Sequence, residues 1–310
     1  MKTITVVTAC YNEEENIAEV YRQVKQVFAE KLPQYQYEHL FIDNASKDKT
    51  VDILREIAAQ DKQVKVIVNT RNFGHIRSPF HALIQAKGDA VISLVADLQD
   101  PPSLIPELVA QWEKGTKMVL AVKAQSSETP LMWIVRKAFY EFISRLSDIE
   151  LTKNHTGFGL YDQVVIQKLR EIGDPYPYFR GLISDLGYDS VKVSYHQPVR
   201  KRGITKNNFY TLYDMAMLGI TNHSKVPLRL ATMTGFAMAF LSFLVALGYL
   251  VYKLIYWDRF TVGTAPVAIG LFFFASVQLF FIGIIGEYIG SIQTQVMKRP
   301  LVVEKERINC

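Results

Sequence analysis

Apolar and polar positions alternate in blocks along the first two hundred residues. Thr3 to Thr8 is a β-branched, apolar run of strand length. Val20, Val24, Val27 and Phe28 then recur at helical spacing, with Asn12 placed to cap that helix and Glu13, Glu14 and Glu15 in its first turn. His39 to Ile42 predicts a second strand, ending in Asp43-Asn44-Ala45-Ser46. Ser46 and Asp48 can cap a helix from Val51 to Ala59, and Val64 to Val68 predicts a third strand. The loop Asn69 to Arg77 and a helix through Ala86 lead to a fourth strand, Ala90 to Ala96. This β-α-β-α-β-α-β order predicts an α/β fold with a largely parallel, doubly wound sheet and strand ends gathered at one crevice.

The pattern changes near residue 228. No residue is charged from Leu230 to Tyr252, nor from Phe260 to Gly286. Each run exceeds the roughly 20 apolar residues that span a bilayer. The short linker Lys253 to Arg259 makes the pair a helical hairpin. Lys225, Arg229, Lys298, Arg299, Lys305 and Arg307 flank the other ends, so the positive-inside rule places the hairpin tip outside and both termini in the cytoplasm. Tyr252, Tyr256 and Trp257 suit the outer aromatic belt, and Gln278 is polar at membrane depth. Phe209, Leu212, Tyr213, Ala216, Met217 and Ile220 form one apolar stripe, the pattern of a helix lying at the interface. Pro130 to Leu146 carries a similar face, for which core packing is the favoured reading. The organisation expected is a catalytic domain over 1–205, a juxtamembrane amphipathic helix over 206–228, two spans within 229–290 (about 230–252 and 264–286) and a cytoplasmic tail over 291–310. Gly235, Gly248, Gly270, Gly283 and Gly286 leave room for a homo-oligomeric contact between hairpins.

Composition narrows the class. The 310 residues carry a net charge of +5 with no basic stripe, which argues against nucleic acid as partner. Cys10 and Cys310 lie at opposite ends of the chain and suggest neither a disulfide framework nor a thiolate metal site.

Candidate chemistry sits at the strand ends. The run Ala90 to Ala96 stops at Asp97-Leu98-Gln99-Asp100-Pro101-Pro102. Asp97 and Gln99, two apart at a strand end with Leu98 directed elsewhere, offer oxygen ligands on one side to a hard cation such as Mg2+ or Mn2+. Asp100 and Pro101 read as a helix start. Tyr11-Asn12-Glu13, Asp43-Asn44 and Arg71-Asn72 end the other strands. Tyr11 can stack on a base, and Asp43 can accept from a base N–H or serve only as a turn residue. With neither G-x-G-x-x-G nor a Walker A motif, dinucleotide and P-loop readings lose support.

Taken in order, these motifs resemble the inverting GT-A glycosyltransferases of family two. Ala9-Cys10-Tyr11-Asn12-Glu13 resembles the family's V-Y-N-E, and Asp43-Asn44-Ala45-Ser46-Lys47-Asp48-Lys49-Thr50 its D-D-G-S-x-D-x-T. Asp97-Leu98-Gln99-Asp100-Pro101-Pro102 resembles the D-L-Q-x-P-P of the dolichyl-phosphate mannose synthase and bacterial polyprenyl-phosphate glycosyltransferase branch. Gly157-Phe158-Gly159-Leu160-Tyr161-Asp162 resembles G-F-R-L-x-D, and Phe179-Arg180-Gly181 and Arg202-Gly203-Ile204-Thr205-Lys206 follow in the expected order. The resemblance extends to the two-helix anchor of the bacterial members. The chain departs from it at Val95, where the family has the first Asp of D-x-D, at Asn44 for Asp, at Gly159 for a basic residue and at Lys123 for a frequent Arg.

The resemblance implies transfer of a sugar from a nucleotide-sugar, UDP-linked by likeness to bacterial members, to polyprenyl (undecaprenyl) phosphate at the cytoplasmic face of the inner membrane. Tyr11, Glu13, Asp43, Asn72 and Asp97 would bind the donor, and Asp97 with Gln99 would hold the metal. Lys123, Arg136, Arg202 and Lys206 would hold phosphates. Asp162 either orients the acceptor, as a weak base, or caps the helix from Val164 to Arg170; the two readings stand equal. A processive synthase is disfavoured by the lack of Q-x-x-R-W, while a non-catalytic scaffold or flippase partner and a glycosyltransferase with another acceptor remain open.

Overall fold

The computed structural model describes residues 1–124, 152, 154–198, 213, 217–222, 224–256 and 264–310. Its elements are β1 (Thr3–Cys10), α1 (Ile17–Lys31), β2 (Gln36–Asp43), α2 (Thr50–Gln60), β3 (Val64–Asn69), α3 (Gly74–Gln85), β4 (Ala90–Val95), α4 (Ile105–Glu113), β5 (Met118–Lys123), β6 (His155–Asp162), α5 (Gln163–Ile172), α6 (Phe179–Asp185), β7 (Ser190–Tyr195), α7 (Val226–Ile255), α8 (Thr264–Met297) and β8 (Glu304–Ile308). One eight-stranded sheet runs β7-β5-β6-β4-β1-β2-β3-β8. Strands β4, β1, β2 and β3 are mutually parallel and β5 is parallel to β7, while β6 runs antiparallel between β4 and β5.

The parallel strands are apolar because helices cover both faces. On one face Val20, Val24 and Phe28 of α1 meet Ile105, Leu108 and Trp112 of α4 over Ile4, Val6 and Ile92. On the other, Phe80 and Leu83 of α3 pack with Val165, Ile166 and Leu169 of α5 over Val7, Ile42 and Val91. β6 threads this core so closely that a Cβ on Gly159 would lie 2.5 Å from the carbonyl oxygen of Val119. A side chain at this position would push β6 away from β5.

Two expectations about local structure are corrected. Asn12 does not cap α1, which begins at Ile17 after the N-cap Asn16. Asn12 instead adopts a left-handed conformation (φ 54°) and accepts from the Lys47 backbone N–H at 2.8 Å, joining the loops that follow β1 and β2. The acidic residue in the first turn of α1 is Glu19, not Glu13 to Glu15.

The second correction concerns residues 291–310, which are not a separate tail. Helix α8 continues unbroken to Met297. Ser291 donates to Asn222 at 2.8 Å, and Gln295 donates to Asp174 of the catalytic domain at 2.8 Å. The chain then returns as β8, antiparallel to β3, and closes that edge of the sheet. Val302 is buried beneath it.

Helices α7 and α8 are long and apolar enough to cross a membrane. Their flanks expose Phe236, Phe240, Leu241, Phe272 and Phe280, a surface that water does not tolerate at this extent. The protein is therefore membrane-associated. The stripe residues Phe209 and Leu212, the segment Pro130 to Leu146, and the linker residues Trp257 and Arg259 lie outside the described residues.

Candidate active site

The carboxyl ends of β1, β2, β3 and β4 form one edge, and side chains from each loop satisfy the backbone of the next. Ser46 accepts from the Asn12 N–H (2.8 Å), Thr50 from the Glu13 N–H (2.9 Å) and Asp48 from the Glu14 N–H (3.2 Å). Asn44 accepts from the Phe73 N–H (2.9 Å) and donates to Asn72 (3.0 Å) and to the Gly74 carbonyl (3.1 Å). Three loops are thereby held as one rigid rim. Much of the D-N-A-S-K-D-K-T motif is used to build this rim.

Asp43 ends β2 fully buried, accepting from the Ser46 N–H at 2.9 Å and from the Ser46 hydroxyl. Burial pushes its carboxyl above the usual range, and the Ser46 hydrogen bonds oppose that rise. A cavity of about 250 Å³ lies beside it, lined also by Ser46, Val68, Asn69, Thr70 and Lys305. Glu13 uses its carboxylate on the Asn16 amide (2.7 Å) and its carbonyl on the first N–H groups of α1. Asn72 gives its side-chain oxygen to Asn44 and to the Gly74 N–H (2.8 Å). Tyr11 follows β1 at the same edge, half-buried.

Asp97 and Gln99 lie beyond the end of β4, in a turn whose middle residue, Leu98, has φ 59°. The strand-alternation premise for pairing them therefore fails. What joins them is the Gln99 N–H, which donates to Asp97 Oδ1 at 3.1 Å. Both remain half-buried at the crevice, beside Val95, which is 43% exposed. Asp100 turns inward instead. Burial raises its carboxyl to about 6, opposed by the Tyr195 hydroxyl that donates to it at 2.8 Å, with Asp97 and Lys123 close enough to act on it. Lys123 ends β5, opposite Tyr195 of β7. Among the described residues no three His, Cys, Asp or Glu side chains gather as a metal site.

Asp162 lies at the opposite end of the sheet from Asp97. β6 runs antiparallel to β4, so Asp162 pairs with Ala90, at the start of β4, while Asp97 lies beyond its end. At about 3.3 Å per residue, roughly 20 Å separates them. Asp162 caps α5 by accepting from the Val164 N–H (3.0 Å), and also accepts from Trp112 Nε1 (2.8 Å) and Lys117 Nζ (3.1 Å). Burial pushes its carboxyl up, but these hydrogen bonds prevail and hold it below the usual range. Asp162→Ala is expected to lower stability by about 2 kcal/mol at neutral pH while leaving kcat of the folded fraction near wild type. The deficit shrinks as pH falls below the ordinary carboxylate range near 4, because the depressed carboxyl stabilises the fold only while ionised. Thermal unfolding of both proteins between pH 3 and 7 measures it.

Sequence reasoning missed residues at the crevice end of β6. Buried His155, lowered to about 4 by desolvation, is a neutral imidazole at pH 7. Its carbonyl accepts from Arg180 at 3.3 Å, bringing a guanidinium from α6 to this end of the strand. Arg136, Arg202 and Lys206 lie outside the described residues.

Comparison with known proteins settles the family. The model for "Glycosyl transferase family 2" matches residues 5–170, more than half of the chain. The chain belongs to glycosyl transferase family 2. Within that family its anchor is of one kind, since the "GtrB C-terminal hairpin" model matches residues 226–292. The chain is 34% identical over 300 residues to the uncharacterized glycosyltransferase YkcC of Bacillus subtilis, covering 96% of this chain and 92% of the relative. It is 33% identical over 304 residues to the bactoprenol glucosyl transferase of Shigella phage SfII, covering 98% and 97%. Among solved structures it is similar to glucosyl-3-phosphoglycerate synthase from Mycobacterium tuberculosis in complex with Mn2+, UDP and phosphoglyceric acid. That likeness has 18% identity and a TM-score of 0.48, covering 71% of this chain and 76% of the other. Because the family-2 and hairpin models match, the Rossmann-like, mostly parallel sheet is the GT-A domain expected, joined to a helical hairpin.

Proposed function

We propose that this glycosyltransferase moves a sugar, with inversion, from a nucleotide-sugar to a polyprenyl phosphate at the cytoplasmic membrane surface. The observation that carries the reading is end-to-end likeness to the phage SfII bactoprenol glucosyl transferase, hairpin included. The fold supports it physically, because α8 and β8 tie the anchor directly to the catalytic sheet. Basic residues at the inner ends of the hairpin favour the cytoplasmic side. The donor is read as UDP-linked and the acceptor as undecaprenyl phosphate.

In this reading the chain's own residues take the following roles. Tyr11 stacks on the base at the end of β1, and the Asp43 side supplies acceptors. Asn72 and Glu13 act mainly by fixing the loops around the donor. Asp97 and the Gln99 side chain offer hard oxygen ligands, which fit a partial shell for Mg2+ or Mn2+ completed by donor phosphates and waters. When bound, the cation supplies charge neutralisation to the departing diphosphate. Lys123, at the end of β5, adds a fixed positive charge to the same side of the crevice.

In the transfer, a lone pair of the acceptor phosphate oxygen forms the new bond to the anomeric carbon. The bond from that carbon to the diphosphate oxygen breaks, and its electron pair leaves with the nucleoside diphosphate. The acceptor is already an anion at pH 7, so no strong general base is needed, in keeping with the position of Asp162. Incubation of the detergent-solubilised protein with radiolabelled UDP-sugars and undecaprenyl phosphate is expected to move label into the organic phase, and EDTA to stop it. Equal transfer to a water-soluble acceptor would contradict the reading.

A further inference from the structure

The C-terminal strand reaches the donor side of the crevice. Between α8 and β8, Pro300 accepts from Arg77, and the Val303 carbonyl accepts from the Thr70 N–H (2.9 Å) and hydroxyl (3.1 Å). The loop following β3 is therefore built partly on the last residues of the chain.

Pairing of β8 with β3 slips at this point. Val68 faces Glu306 and Asn69 faces Glu304, which leaves Lys305 without a residue opposite. A bulge of this kind removes one residue from the ladder and re-aims its side chain, and such bulges recur beside functional sites. Glu306 reaches Arg55 of α2 at 2.7 Å, and Arg55 also holds Asp52 at 3.1 Å. Glu304 is held by His81 and Arg307. The neighbouring glutamates of β8 are thus engaged by Arg55, His81 and Arg307, while exposed Lys305 lines the cavity beside Asp43.

That cavity has a chemical character. Asn69, 1% exposed, donates through Nδ2 to Asn44 (3.1 Å) and Ser78 (3.0 Å), yet its Oδ1 is buried without a donor among the described residues. Asp48, Asp52 and Arg55 also line the cavity, with Arg55 engaged by Asp52 and Glu306. The acceptors of Asp43 and Asn69 on one side and the Lys305 ammonium on the other match the edge of a pyrimidine such as uracil, where an imide N–H lies beside carbonyl oxygens. Position agrees with chemistry. The cavity is at the β2–β3–β8 side, and β2 lies two strand spacings, about 10 Å, from the β4 end that carries Asp97. A nucleoside diphosphate laid along this edge puts its base at the cavity and its phosphates at Asp97.

We propose that Lys305 is a donor-binding residue supplied by the C-terminal strand, where it holds a carbonyl oxygen of the pyrimidine base; this rests on the nucleotide-sugar reading above. Calorimetry of the full-length protein in detergent tests it, with UDP and uridine as probes and Lys305→Met and Lys305→Arg as variants. The methionine keeps the length of the stem at an exposed position, and thermal unfolding checks that both variants fold. Lys305→Met is expected to weaken UDP and uridine alike, by about tenfold (~1.4 kcal/mol), and Lys305→Arg to recover most of the loss. UDP affinity within twofold of wild type in Lys305→Met would overturn the proposal, as would a loss for UDP with none for uridine, which would place the lysine on the phosphates. Wild-type protein that binds no nucleotide would instead bring down the donor reading itself.

Discussion

Asp97→Ala is expected to reduce kcat at least ~1,000-fold, equivalent to about 4 kcal/mol of transition-state stabilisation. With Val95 in place of the first acidic residue of the family motif, Asp97 is the carboxylate that this turn presents to the crevice, since Asp100 is buried against Tyr195. Little else nearby can replace it: no three acidic or metal-ligating side chains cluster among the described residues. Two variants separate charge from architecture. Asp97→Asn keeps an oxygen for the Gln99 N–H, which donates to Oδ1 in the native turn, but removes the negative charge. Its Tm is expected to stay near wild type while its kcat falls almost as far as that of Asp97→Ala. A steady-state comparison beside thermal unfolding checks both. Activity of Asp97→Asn within tenfold of wild type would mean that the turn, and not the carboxylate charge, is what catalysis needs.

Removal of residues 299–310 is expected to have the largest effect on stability, on the order of 5 kcal/mol. The deletion strips the ladder from the β3 edge, removes the buried Val302, and takes a side-chain partner from each of Arg55 (Glu306), His81 (Glu304), Gln85 (Arg307) and Lys62 (Asn309). An unpaired parallel-sheet edge is also a template for aggregation. The truncated protein should still associate with membranes, but its catalytic domain should unfold well below the wild-type temperature and lose the Thr70–Arg77 loop contacts. Thermal unfolding followed by tryptophan fluorescence reads this through Trp112, which is buried in the core. A truncated protein with unchanged Tm would show that β8 is an accessory.

The tail also shows what the sequence conceals. Glu304-Lys305-Glu306-Arg307-Ile308 has no alternation of apolar and polar residues, and reads as a solvated end. It forms a strand because its charges find partners on α2 and α3, and because β3 presents an open edge. Neither fact is local to the segment. The four parallel strands were legible because both their faces are largely buried, so their runs are mostly apolar: Thr3 to Thr8 extends to Cys10, and Val64 to Val68 gains a single residue. The hairpin was legible from charge-free length alone.

The end of the sheet at which Asp162 lies was not legible, for a reason of direction. A strand pattern reads the same whichever way it is laid into a sheet, and β6 is antiparallel to β4, which sends its final residue to the far edge. Asn44 and Asn72 show the corresponding limit for loops. A polar side chain after a strand can face a ligand or another loop, and only the fold reveals that these two bond each other. Lys305 is the reverse case. It counted as one basic flank of the anchor, and the bulge that places it at the cavity depends on a register no spacing rule contains.

A single sugar on a polyprenyl phosphate is the expected product. Mass spectrometry of the lipid fraction, after incubating the protein with undecaprenyl phosphate, a panel of UDP-sugars and Mn2+, reads it. One new species is expected, undecaprenyl phosphate plus one sugar through a single phosphate, with one nucleoside diphosphate released per molecule formed and none of either from Asp97→Ala. Nucleotide release without a glycosylated lipid, or sugar found on a non-lipid acceptor, would contradict it.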